Sequence, residues 1–127
     1  MPKNEFTCDC GCVDQQLVER TVSGMPGPEV FGKLAEFFKI MGDVTRCRLI
    51  FALQKNEMCV CDLANVVSMS KSSVSHQLSK MRRCGAVKCR REGKEVYYSL
   101  DDRHVDEIFA ITMNHIKHID RGGEHED

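Results

Sequence analysis

Residues 71–83 read Lys-Ser-Ser-Val-Ser-His-Gln-Leu-Ser-Lys-Met-Arg-Arg, and this segment gives the strongest indication of the architecture. The apolar residues Val74, Leu78 and Met81 are four and then three positions apart, which predicts one buried stripe along a helix. The other faces hold short hydroxyls, an imidazole, an amide and several cations. Such side chains can approach a nucleic acid closely and form hydrogen bonds with phosphates and base edges. The segment therefore predicts a helix that packs on one face and binds on the others, with a merely solvated polar helix as the simpler alternative.

A shorter helix precedes this segment. The pattern predicts it over residues 60–67, with Leu63, Val66 and Val67 facing inward. Ser68-Met-Ser70 then forms a polar turn between the two helices. Two helices joined by a turn of three or four residues are typical of a helix-turn-helix motif.

The periodicity changes after Gly85. Residues 87–91 and 96–100 alternate or are rich in β-forming side chains, and Glu92-Gly-Lys-Glu95 between them predicts a hairpin turn. A β-hairpin that directly follows a helix-turn-helix motif is a wing. The predicted fold class is therefore mainly α with a β-hairpin (α+β), a winged helix-turn-helix.

Three regions are expected along the chain. Residues 1–28 form a cysteine-rich N-terminal arm and linker, residues 29–120 a winged helix-turn-helix domain for DNA binding and dimerisation, and residues 121–127 a disordered tail. Further helices are predicted over about 13–22, 29–41 and 44–54, and from Asp101 or Asp102 to about 119. Asp43 is the predicted N-cap of the helix over 44–54.

The distribution of charge supports a DNA-binding face. The chain carries a net charge of −1, but residues 71–94 hold eight basic residues and one acidic residue, so this stretch is +7 and the remainder −8. A basic patch on an otherwise acidic protein is typical of a surface that binds double-stranded DNA. The predicted DNA-contacting residues are Lys71, Ser72, Ser73, Ser75, His76, Gln77, Ser79, Lys80, Arg83, Arg90, Arg91 and Lys94.

Composition limits the function further. The 127 residues contain no apolar run long enough to span a membrane and no secretion signal, so a cytoplasmic protein without a membrane partner is expected. In a reducing cytosol, eight cysteines indicate metal binding or redox chemistry rather than disulfides. No nucleophile–base arrangement stands out, so neither an enzyme nor a small-molecule substrate is expected.

The cysteine spacing predicts a thiolate metal site. Cys59 and Cys61 lie at the start of the helix over 60–67, where the helix dipole is expected to lower a thiol pKa. The N-terminal Cys8, Cys10 and Cys12 can supply the further ligands, and the sequence leaves open which of them do so. Thiolates suit Cd(II), Pb(II) or Zn(II). The three remaining cysteines have no partner spacing and are expected to be small core or surface residues; they are Cys47, Cys84 and Cys89.

A second metal site is predicted on the last helix. Asp102 and His104 open it, His115 and His118 close it, and the histidines lie along one face. His104 and His115 are on the order of 16 Å apart along such a helix, so four ligands at one ion require an antiparallel second copy. The pattern therefore predicts a homodimer with Zn(II) bound between the two last helices.

Two simpler interpretations of the last helix remain open. Histidines on a surface helix are often only solvated. An apolar dimer seam could also form without metal, from Val105, Ile108, Phe109, Ile116 and Ile119.

These motifs resemble the ArsR/SmtB family of winged-helix metal sensors, and most closely its cadmium-, lead- and zinc-sensing CadC branch. Four segments carry the resemblance, over about residues 29–119 together with the cysteine-rich arm. They are Gly42-Asp-Val-Thr-Arg-Cys-Arg-Leu-Ile50, Glu57-Met-Cys-Val-Cys-Asp-Leu63, Ser72-Ser-Val-Ser-His-Gln-Leu78, and Asp102-x-His104 with His115-x-x-His118.

The resemblance implies a repressor whose metal-free dimer binds operator DNA and releases it when metal binds, so that efflux or resistance genes are expressed. It implies that Cys59 and Cys61 share a metal with two N-terminal cysteines of the opposite chain. It does not decide which site is regulatory, because this chain has ligands for both. Two alternatives are a thiol redox- or arsenite-sensing repressor, and a metal-buffering protein that would leave the basic segment unexplained.

Overall fold

A computed structural model describes residues 5–120, apart from the side chain of Asp120, so the predicted tail lies outside the described residues. The chain divides into two compact units, one up to Phe31 and the other from Gly32. Within residues 5–120 the elements confirm the predicted fold class, with six helices and a small antiparallel sheet. They are α1 Gln15–Ser23, α2 Pro28–Met41, α3 Val44–Leu53, β1 Met58–Cys59, α4 Val60–Val67, α5 Lys71–Arg83, β2 Val87–Glu92, β3 Glu95–Leu100 and α6 Arg103–Asp120.

The first unit is built around α1. Asp14 caps this helix by accepting a hydrogen bond from the Leu17 amide at 3.0 Å. The apolar side chains of α1 are exposed, including Leu17 and Val22. α2 begins at Pro28, whose fixed φ and missing N–H suit the first position of a helix.

Side-chain caps set where the helices of the second unit begin. The Asp43 carboxylate accepts from the Arg46 amide at 3.0 Å and starts α3, as predicted. The Ser70 hydroxyl accepts from the Ser73 amide at 3.1 Å and starts α5. Between α4 and α5, Ser68 adopts φ 56°, a left-handed conformation that ends α4 and turns the chain. The predicted helix-turn-helix motif is thereby confirmed.

The core of the second unit lies where α3, α4 and α5 meet the sheet. Val74, Leu78 and Met81 are fully buried, so the stripe predicted from their spacing is confirmed. The prediction that Val66 faces inward is wrong, since 43% of it is exposed. The buried face of α4 is formed by Leu63, Ala64 and Val67, and at 3.6 residues per turn Val66 lies to one side of that face.

The sheet has three strands, in the order β1–β3–β2. β2 and β3 form the predicted hairpin, but they remain paired as far as Glu92 and Glu95, which leaves a turn of two residues. Gly93 occupies that turn with φ +63°, where a residue with a side chain would be strained. The short strand β1 was not predicted; it pairs antiparallel with β3 through Met58 and Cys59. No helix within residues 5–120 combines the length and apolar character needed to cross a membrane.

Candidate nucleic-acid interface and metal centres

The helix α5 presents most of the predicted DNA-contacting residues on its open faces. The exposed ones are Lys71, Ser72, His76 and Arg83, and the half-buried ones are Ser73, Ser75, Gln77, Ser79 and Lys80. The hairpin after this helix exposes Arg90, Arg91 and Lys94. The fold thus places the predicted residues on two adjoining elements, a helix and a wing, with the core behind the helix.

Gln77 is held by a residue that the sequence analysis did not single out. Its side-chain oxygen accepts a hydrogen bond from Arg46 Nε at 2.7 Å, and Arg46 Nη1 also donates to the Ile40 carbonyl at 3.0 Å. Arg46 therefore ties the end of α2 and the start of α3 to α5. With its oxygen engaged in this way, the Gln77 amide group offers its N–H donors to a partner.

Arg90 is the most constrained cation of the wing. Its guanidinium donates two hydrogen bonds to the carboxylate of Glu57, at 2.7 and 2.9 Å, and a longer one to Glu92 at 3.4 Å. It also lies 4.8 Å from the centroid of the Tyr97 ring. The hydrogen bond to Arg90 lowers the pKa of Glu57. A DNA phosphate that binds Arg90 must therefore compete with a carboxylate already in place.

The sheet brings the wing next to the first of the paired cysteines. Cys59 on β1 lies opposite Tyr97 on β3, and Tyr97 lies opposite Arg90 on β2. Paired residues on adjacent strands share one face of a sheet, so these three side chains form a row across it. The row and the Glu57 contact together connect the cysteine segment with the wing.

The environment of Cys59 differs from the expectation for a helix start. Cys59 is the buried N-cap residue of α4, whereas Cys61 is exposed. The backbone N–H of Asp62 lowers the pKa of Cys59, but burial and the Asp62 carboxylate raise it, and the net pKa is raised. The prediction of a lowered thiol pKa is therefore wrong for Cys59, because burial and a neighbouring carboxylate outweigh the helix dipole.

The N-terminal cysteines are exposed and close together. The Sγ atoms of Cys8 and Cys10 are 3.1 Å apart, and Cys10 Sγ lies 3.9 Å from the Cys12 carbonyl oxygen. These residues belong to the first unit and Cys59 and Cys61 to the second. Of the other cysteines, Cys47 and Cys84 are half-buried and Cys89 is exposed, in the small core and surface roles predicted for them.

Asp102 and His104 are joined at the start of α6. Asp102 Oδ1 accepts from the His104 amide at 2.8 Å, and Asp102 Oδ2 lies 3.4 Å from His104 Nδ1. Slight burial raises the pKa of Asp102, but hydrogen bonds from the His104 side chain and from the His104 and Val105 amides lower it, with a net lowering. With Oδ2 and Nδ1 3.4 Å apart, the carboxylate and this ring nitrogen are close enough to serve as two ligands of one tetrahedral ion.

The predicted metal face of α6 is exposed along its length. The histidines and the two isoleucines between them step by four and three residues along this face, and all are open to solvent: His104, Ile108, Ile111, His115 and His118. Val105 is buried in the core of its own chain, so its predicted place in an apolar dimer seam is wrong. Within residues 5–120 of one chain, no three histidine, cysteine, aspartate or glutamate side chains are grouped closely enough to hold an ion.

Comparisons with known proteins place this arrangement among bacterial regulators. Residues 43–88 match the family model described as bacterial regulatory protein, arsR family. A transcriptional repressor SmtB homolog from Synechocystis is 42% identical over 112 residues, covering 84% of this chain and 85% of the relative. A cadmium resistance transcriptional regulatory protein CadC homolog from Staphylococcus aureus is 39% identical over 87 residues, covering 68% and 72%.

A solved structure supports the fold. It is a homodimeric winged helix-turn-helix DNA-binding domain from Mycobacterium bovis, with a TM-score of 0.71. It is 20% identical in sequence, and the alignment covers 92% of this chain and 98% of that one. At this identity the likeness establishes the winged helix-turn-helix architecture.

Proposed function

The chain belongs to the arsR family of bacterial regulatory proteins, and from this membership we propose that it is a metal-responsive transcriptional repressor of the bacterial cytoplasm. Its homodimer binds operator DNA without metal and releases the DNA when Cd(II), Pb(II) or Zn(II) binds. The observation that carries this proposal is the connection between the cysteine segment and the wing. The segment bearing Cys59 is hydrogen-bonded to the strand that supports Arg90 of the wing.

The DNA contacts proposed are those of α5 and the wing. The short side chains of Ser72, Ser73 and Ser75 allow the start of α5 to enter a major groove, with His76 and Gln77 in reach of base edges. Arg90, Arg91 and Lys94 contact phosphates from the wing. The remaining contacts are from Lys71, Ser79, Lys80 and Arg83.

Exposed apolar side chains support the homodimer. On α2, Leu34 and Phe38 are 47% and 56% exposed, and on α6, Ile111 is 70% exposed. Large apolar groups left open to water on two helices favour association with a second copy. An antiparallel pair of α6 helices would bring Asp102 and His104 of one protomer to the other end of its partner, where they share a zinc ion with His115 and His118.

The inducer site proposed is the thiolate site. Cys59 and Cys61 bind the ion together with two or three of Cys8, Cys10 and Cys12, supplied by the partner chain. The exposed, adjacent thiols of the arm support this, since they need no rearrangement of a core to meet a metal. A bound ion at Cys59 would bias the sheet row that leads to Arg90, and a coupling of about 1–3 kcal/mol would weaken DNA binding by roughly 5–150-fold.

Fluorescence anisotropy of labelled operator DNA tests the proposal. Cd(II), Pb(II) and Zn(II) are added in turn to the complex, under reducing conditions, and metal is expected to raise the DNA dissociation constant at least about fivefold. Wild type is compared with His104→Ala and with the matched surface variant Glu107→Gln on the same helix. If no metal weakens the wild-type complex, the proposal is wrong. If His104→Ala abolishes metal-induced release and Glu107→Gln does not, α6 is the regulatory site.

Glu57→Gln is expected to tighten DNA binding severalfold, because the carboxylate that competes with phosphate for Arg90 is removed. The measurement is the DNA dissociation constant of the metal-free protein. Glu95→Gln on the same hairpin is the matched control, since Glu95 accepts from the Tyr97 hydroxyl, whereas the carboxylates bonded to Arg90 are those of Glu57 and Glu92. Equal effects of both changes would mean that only net charge matters and that the Glu57–Arg90 pair has no role.

A further inference from the structure

A basic pocket lies beside α5, between the end of α2, the start of α3 and the end of α5. Its volume is about 460 Å³. It is lined by Lys39, Arg46, Lys80 and Arg83, with Glu36 and Cys84. Sequence reasoning placed Lys80 and Arg83 among the DNA contacts but could not place Lys39 or Arg46 beside them, since the four cations come from three helices.

The charge of this pocket is strongly unbalanced. Four cations face one carboxylate, and within residues 5–120 none of the four forms a salt bridge. Burial raises the pKa of the Cys84 thiol, which therefore stays neutral and does not offset the cations. Like charges gathered around one cavity repel one another, so an anion in the cavity would relieve the repulsion.

Arg46 is oriented in advance of any ligand. Two of its N–H groups are engaged, one with Gln77 and one with the Ile40 carbonyl. A guanidinium has five such donors in a planar fork, so three remain available to an oxyanion. Because the Gln77 contact fixes Arg46 to α5, an anion bound by Arg46 would also be fixed relative to the DNA-contacting helix.

We propose that this basic pocket binds a phosphate group, supplied by the DNA backbone when operator DNA is bound. The inference rests on the proposed DNA-binding function and deepens it by adding Lys39 and Arg46 to the interface. Lys80 and Arg83 lie on the same helix as the proposed base-contacting residues, so a backbone phosphate near the end of α5 can reach the pocket. Free inorganic phosphate has the same chemistry and is the other possible source.

The test compares Lys39→Gln with Lys33→Gln. Both lysines lie on α2 and are exposed, but Lys33 does not line the pocket, so the two variants lose the same charge in different places. The probe is a fluorescein-labelled duplex of about 30 base pairs, selected from a random pool by binding to the wild-type protein. Its dissociation constant is measured over a range of salt concentrations. Lys39→Gln is expected to reduce the slope of log K against log salt by about 1, and Lys33→Gln to leave it unchanged.

A second arm distinguishes the source of the phosphate. Inorganic phosphate is titrated into the DNA-free protein and the amide resonances of residues 36–46 and 80–84 are followed by NMR. One outcome is that inorganic phosphate gives saturable shifts that are lost in Lys39→Gln, while Lys39→Gln leaves the salt slope of DNA binding unchanged. This outcome would assign the pocket to free phosphate. An unchanged slope together with no saturable shifts would overturn the phosphate site. If the wild type selects no duplex, the proposed DNA-binding function fails, and the NMR arm alone decides the pocket.

Discussion

Cys59→Ser is expected to abolish cadmium-induced release of DNA and the ultraviolet absorption of the cadmium–thiolate complex, while the metal-free protein still binds DNA. Replacing a residue that only hydrogen-bonds to a metal ligand already costs roughly 10–100-fold in metal affinity, so loss of a direct ligand should cost more than about 100-fold. Serine is nearly isosteric and leaves β1 paired with β3. The measurements are a cadmium titration followed by absorbance and DNA anisotropy with and without cadmium.

Cys89→Ser is the matched control for this change. Cys89 is an exposed cysteine on β2, outside the proposed ligand set, and the variant should bind and respond to cadmium like the wild type. Retention of the full absorption band by Cys59→Ser would contradict the thiolate site.

The raised pKa of Cys59 adds a dependence on pH to the same titration. Its thiol is protonated at neutral pH, and cadmium must displace that proton. Apparent affinity should therefore rise about tenfold per pH unit for each cysteine that is deprotonated on binding, as long as the pH stays below the thiol pKa.

Leu78→Ala is expected to destabilise the fold by about 2–5 kcal/mol, because it removes a fully buried side chain and leaves a cavity. Leu78 lies on the inner face of α5, in the core shared with α3 and α4. A loss of this size is a large part of the total stability of about 5–15 kcal/mol typical of a native protein. The measurement is chemical denaturation of the metal-free, reduced protein at one fixed concentration.

Lys71→Ala provides the comparison on the same helix. Lys71 is exposed in the first turn of α5, and its replacement should change stability by less than about 0.5 kcal/mol. The burial pattern of α5 would be refuted if the two variants unfolded at the same denaturant concentration.

Local patterns were sufficient for most of the architecture. The spacing of Val74, Leu78 and Met81, the cap at Asp43 and the turn at Gly93 each involve residues within a few positions of one another. Such contacts leave a direct trace in the sequence. β1 left none, since a strand of two residues shows no alternation and is defined only by its partner β3.

The candidate site was predicted less completely than the fold, for the same reason. The residue types of α5, the wing, the cysteines and α6 indicated the chemistry, but nothing in the sequence showed that Arg46 would pair with Gln77 or Glu57 with Arg90. Arg46 meets Gln77 from 31 positions away, and Glu57 meets Arg90 from 33. Both separations are far longer than the few residues over which a helical or strand pattern can be recognised. These pairs therefore form only once the helices and the sheet have packed.

The sequence by itself determined the winged helix-turn-helix and the basic segment over residues 71–94, and it predicted two candidate sets of metal ligands, because periodicity and residue chemistry are local properties. Only the tertiary structure decided that Cys59 is buried with a raised pKa, that Arg90 is held by Glu57, and that Lys39 and Arg46 join the end of α5 in one basic pocket. Burial, pKa and charge pairing depend on which atoms lie within a few ångströms, and that neighbourhood is assembled from distant parts of the chain.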